Sequence, residues 1–121
     1  LQNISDLEVI SLYLNSHFVA MPTTGGPTNL PLYESFYFKK VIFYPDNLVY
    51  NKELSEILVS FDINKPDEFY KKIINLQDNE KNIITKKAFE FYKKKCSVKN
   101  FTSTYLSIFE NFLDDKKKWK N

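Results

Sequence analysis

The stretch FVAMPTTGGPTNLPLYESFYFKKVIFYPD, residues 18–46, decides the fold. Phe18-Val19-Ala20-Met21 is a short, unbroken apolar run, the pattern of a parallel strand covered on both faces. Pro22 to Asn29 then carries turn chemistry. The chain has 2 glycines, Gly25 and Gly26, and both fall here. Adjacent glycines in a chain that otherwise avoids glycine call for a backbone reason, a tight turn or a close approach. Leu30 to Phe38 reads as a short helix with Pro31 tolerated in its first turn, and Lys39-Lys40 ends it. Val41-Ile42-Phe43-Tyr44 is a second buried strand, stopped by Pro45-Asp46. Strands separated by helical segments imply a parallel sheet with helices on its faces.

The flanks extend this unit. Ser5-Asp6-Leu7-Glu8 is a capping-box pattern, and Leu7, Ile10 and Leu14, with the flanking Val9 and Tyr13, continue it as a helical stripe to about Asn15. After the second strand, Asn47 to Glu56 is a connection with one helical turn at Lys52 to Leu54. Ile57-Leu58-Val59-Ser60-Phe61 is a third strand, and Asp62 to Lys65 a turn. Pro66-Asp67-Glu68 starts a helix with Pro and acids in its first turn, running to about Leu76. Helical spacing resumes from Asn79 to Lys95. A last helix, Val98 to Lys118, carries Phe101, Tyr105, Ile108, Phe109 and Phe112 on its apolar positions. There is no internal repeat and no low-complexity linker.

Composition narrows the function classes. At 121 residues the chain is one domain or part of one. Apolar residues make up 43%, enough to build a core, and the formal net charge is only +2. Such a balance does not indicate a nucleic-acid surface. One cysteine, Cys96, excludes an intramolecular disulfide and fits a reducing, cytoplasmic compartment. No apolar run approaches the roughly 20 residues that span a bilayer. The chain opens on Leu1 rather than Met, which leads us to expect a fragment or a processed product.

Two candidate site features stand out. Thr28, Asn29 and Leu30 open the second helix, where backbone N–H groups have no intrahelical acceptor. With Gly25-Gly26 beside them they form a layout suited to a phosphate, because free donors and the positive end of the helix dipole coincide. An ordinary strand-to-helix turn is the competing reading. Glu34, one turn further, is placed to accept hydrogen bonds from the vicinal hydroxyls of a ribose, as an acid does in dinucleotide-binding folds. The competing reading is a solvent-facing helix acid.

Residues 18–46 resemble the C-terminal nucleotide-sugar domain of retaining glycosyltransferases of the GT-B fold, family 4. The carriers of the resemblance are Pro22-Thr23 at the strand end, the Gly loop, Leu30-Pro31-Leu32-Tyr33-Glu34-Ser35-Phe36, and Phe38-Lys39-Lys40-Val41-Ile42, where the family has Gly-Lys-Pro-Val-Ile. Asp62 and the Pro66-Asp67-Glu68 helix start match the family's usual ending. The resemblance implies a Rossmann-like α/β fold, the second half of a GT-B C-terminal domain over residues 1–113, with a basic tail at 114–121. It implies a nucleoside diphosphate sugar as ligand, no cofactor and no metal. Glu34 matches the second acid of the family's Glu, seven residues, Glu motif, which binds the ribose. Thr28, Asn29 and Leu30 match the loop that touches the diphosphate. The first acid of the motif falls on Gly26, so the sugar contact is absent. No catalytic residue is carried over. The basic pair for the diphosphate and the acceptor-binding N-terminal domain lie outside this chain, so the isolated polypeptide is expected to lack transferase activity. A non-catalytic α/β binding or interaction module is the alternative.

Other residues receive plain readings. His17 is structural or exposed. Cys96 follows Lys93-Lys94-Lys95, which would lower its pKa, but no partnered base is evident. Tyr33 or Tyr44 could lie near a base. Lys116 to Lys120 with Trp119 reads as a solvated helix end, with peripheral contact at an acidic membrane surface as the alternative. The open edge of a half-sheet gives a second copy a place to pair.

Overall fold

A computed structural model describes residues 4–23, 30–49 and 52–118. Among these residues six α-helices flank a three-stranded, all-parallel sheet: α1 (Asp6–Asn15), β1 (Phe18–Ala20), α2 (Leu30–Tyr37), β2 (Val41–Pro45), α3 (Lys52–Ser55), β3 (Val59–Phe61), α4 (Pro66–Asn75), α5 (Asp78–Cys96) and α6 (Val98–Lys118). The expected α/β class and the parallel sheet are both present, in the strand order β1-β2-β3.

The central strand explains the layers. Phe18, Val19 and Ala20 pair with Val41, Ile42 and Phe43. On the other side Phe43, Tyr44 and Pro45 pair with Val59, Ser60 and Phe61. All five β2 residues are buried, because successive side chains point to opposite faces and both faces are covered. Ile42 and Tyr44 pack with Leu32 and Phe36 of α2, Leu54 of α3 and Ala88 of α5. Val41 and Phe43 join Phe61, against Phe69 and Ile73 of α4. Each fully buried Val, Leu, Ile or Phe side chain among these contributes about 1.5–3 kcal/mol relative to exposure.

Local signals set the helix ends. In α1 the capping box is formed: Glu8 N–H donates to Ser5 Oγ at 3.4 Å, and Ser5 N–H donates to Glu8 Oε2 at 2.7 Å. The Ser5 N–H, and secondly the Ser5 hydroxyl that donates to the same oxygen at 2.8 Å, hold the Glu8 carboxyl below its ordinary value. Pro66 stands in the first turn of α4, followed by Asp67 and Glu68. Gln77 and Glu80 form a second capping box at the start of α5.

Two readings shift. The third strand is Val59–Phe61 rather than 57–61. Ile57 and Leu58 are buried ahead of it, and Ile57 N–H donates to Leu54 O in a turn instead of joining the ladder. An apolar run reports burial, and burial does not require strand pairing. Tyr44 is a core residue at 2% exposure, with no face offered to a base. No helix among the described residues is long and apolar enough to cross a membrane.

Candidate functional site

Parallel strands put their carboxyl ends along one edge of the sheet, and in open α/β sheets ligands bind outside that edge. Here the edge is formed where β1 runs out at Met21, β2 at Pro45-Asp46 and β3 at Phe61-Asp62. Met21 N–H donates to Phe43 O at 3.0 Å, and Thr23 N–H donates to Met21 O at 2.9 Å. Gly25, Gly26, Thr28 and Asn29 lie outside the described residues. Leu30 opens α2 at this edge, with its side chain exposed.

Glu34 sits one turn into α2 and is partly buried, unlike a solvent-facing helix acid. The Tyr13 hydroxyl of α1 donates to Glu34 Oε2 at 2.8 Å. The Tyr13 ring stacks on Phe38, with centroids 5.0 Å apart and planes 10° from parallel. Glu34 and Phe38 are four residues apart along the chain, so they line the same side of the α2 end. One tyrosine therefore spans both. Partial burial, and secondly the Glu34 carboxylate, raise the Tyr13 phenol well above its ordinary pKa. It remains a donor throughout the physiological range.

The α1 terminus that carries Tyr13 is itself held. Ser16 Oγ–H donates to Tyr13 O at 2.9 Å. Lys40, just before β2, sends Nζ to Leu14 O at 3.0 Å and Ser16 O at 2.9 Å. A cation on the last carbonyls of a helix satisfies acceptors that have no intrahelical donor. α1 has no basic residue in its own last turn.

Sequence reasoning missed Tyr13. It is 21 residues from Glu34, and its place on the α1 stripe gave only the expectation of a packing residue. The remaining candidates resolve differently. Asp62 builds its turn: Asn64 N–H donates to Asp62 Oδ1 at 2.9 Å, which lowers the Asp62 pKa. Cys96 is raised by partial burial, against the expectation from its lysine neighbours, whose amines sit on long stems in solvent. Among the described residues no cluster of three His, Cys, Asp or Glu side chains could hold a metal ion.

The open grooves lie elsewhere. One of about 490 Å³ between α3 and α5 is lined by Glu53, Glu56, Lys86, Lys87, Glu90 and Lys94. Its charges alternate in sign and already meet across the seam, Lys87 to Glu56 at 3.8 Å and Lys95 to Glu53 at 3.7 Å. A smaller one of about 300 Å³ runs between α1 and the outer edge of β1, past Leu12, Tyr13 and Phe18. Neither includes Glu34.

No protein-family model, curated protein or solved structure matches the chain.

Proposed function

We propose that this chain is the nucleotide-binding part of a retaining glycosyltransferase of the GT-B type, holding the nucleoside diphosphate portion of a sugar donor. On this reading its α/β unit is the Rossmann-like second half of the C-terminal domain. The whole enzyme transfers the donor sugar to a glycan hydroxyl bound by another domain. The observation that carries the proposal is the Glu34 carboxylate. It is partly buried, oriented by a hydrogen bond, and one turn inside a helix that starts at the carboxyl edge of a parallel sheet. Ribose recognition in such folds uses an acid near that edge. Gly25, Gly26, Thr28, Asn29 and Leu30 would supply the backbone around the diphosphate, and Gly26 leaves the donor sugar without an acid.

The test is calorimetric titration of the chain with UDP and with GDP, repeated on Glu34→Ala. Loss of charge-assisted hydrogen bonds to the ribose should weaken binding by about tenfold or more. Binding that ignores the substitution removes Glu34 from the site.

The apolar stripe of α6 favours a second reading, a non-catalytic α/β interaction module. Val98, Phe101, Ile108 and Phe112 are all exposed, and contiguous exposed apolar side chains mark interaction surfaces. Binding of neither nucleotide would favour this reading over the first.

A further inference from the structure

The contact between α1 and α2 does more than join two helices. A glutamate on a helix surface has three rotatable bonds, and ordering it when a ligand arrives costs affinity. Here the ordering is already done. Tyr13 is fixed by its ring on Phe38, by Ser16 on its carbonyl, and by the Lys40 bonds that hold the end of its helix. Its hydroxyl takes one carboxylate oxygen, Oε2. A carboxylate offers about four acceptor sites on its two oxygens, so this bond leaves capacity for two further donors from a vicinal diol.

We propose that Tyr13 is a positioning residue for ribose recognition: it presents the Glu34 carboxylate to the 2′- and 3′-hydroxyls of a ribonucleotide and thereby sets a preference for ribose over 2′-deoxyribose. This rests on the nucleotide reading above. Tyr13 itself touches no ligand; it acts through Glu34.

The experiment is titration of the full chain with UDP and 2′-deoxy-UDP in three forms: unsubstituted, Tyr13→Phe and Glu34→Gln. Phenylalanine keeps the ring stack on Phe38 and removes only the hydroxyl. The expected result is a preference for UDP in the unsubstituted chain. Tyr13→Phe should weaken UDP about threefold to tenfold, the cost of ordering one side chain on binding. It should leave 2′-deoxy-UDP nearly unchanged, so the ratio of the two affinities shrinks. Glu34→Gln should collapse that ratio, and the double variant should lose little more. A helix pin with no part in recognition would shift both nucleotides equally.

The failures are distinguishable. If Glu34→Gln collapses the ratio and Tyr13→Phe does not, the role of Tyr13 falls and the site stands. If the unsubstituted chain binds UDP and 2′-deoxy-UDP alike, the ribose role of Tyr13 and Glu34 falls while nucleotide binding stands; if it binds neither, both proposals fall. A measurement on the unsubstituted chain guards against a variant that does not fold. The NMR cross-peak between the Tyr13 ring and the Glu34 side chain should persist at saturating UDP. Its disappearance would mean that the ribose displaces Tyr13, and would overturn the proposal.

Discussion

Lys39 carries the positive φ of 54° that ends α2. Lys40 N–H reaches Ser35 O at 2.8 Å and Lys39 N–H reaches Phe36 O at 3.2 Å, the pairing of a Schellman cap. That position favours glycine, and a side chain there costs about 1 kcal/mol. The Lys39 amine lies 4.5 Å from the Phe89 ring centroid and recovers about 0.5 kcal/mol at an exposed site. Lys39→Gly should therefore stabilise the fold by about 0.5 kcal/mol, read from the midpoint of urea unfolding; a loss of stability would show that the cation–π contact outweighs the backbone strain. Lys39-Lys40 was legible as a helix end, but the sequence did not say which residue turns left-handed. That depends on where the carbonyls of Ser35 and Phe36 find donors. Glu34 was legible as a candidate acid for the same local reason, its distance from the turn. Its partner was not, because a hydroxyl 21 positions away carries no local signal.

At the scale of elements, the helices were readable wherever their ends are made by neighbouring residues. Ser5 with Glu8, and Pro66 with Asp67 and Glu68, act within one turn. The carboxyl end of α1 is different, since beside the local bonds of Ser16 to Tyr13 O it draws two donors from Lys40, on the far side of α2. Lys40→Met keeps much of the aliphatic stem and removes the donor from two carbonyls. It should cost about 1–2 kcal/mol, measured by chemical denaturation. If Lys40 caps nothing in solution, the cost will be near zero. The third strand shows the opposite limit. Ile57 and Leu58 carry the same apolar character as Val59 and Phe61, yet Ile57 closes a turn on Leu54. Hydrophobicity marked the segment as interior and could not tell a ladder from a turn.

For the whole molecule, the core is concentrated on β2 and the surface of α6 is left apolar. Phe101 is 59% exposed and Phe112 64%, on a helix that packs chiefly against α5. A contiguous apolar face of this kind binds hydrophobic probes. An anilinonaphthalene dye should bind the folded chain, and the triple variant Phe101→Gln, Ile108→Gln, Phe112→Gln should lose most of that signal with an unchanged melting temperature. An equal fall in melting temperature would show instead that these side chains belong to the core. By itself, the sequence determined the order of elements and the parallel sheet, because caps and apolar runs act over a few residues. Only the tertiary structure decided that Ile42 and Tyr44 face α2 and α5 while Val41 and Phe43 face α4. It also decided that α1 meets α2 through Tyr13 and Glu34. Those pairings arise when the sheet twists and the helices settle on it, and no spacing along the chain encodes which side chains then come within hydrogen-bond reach.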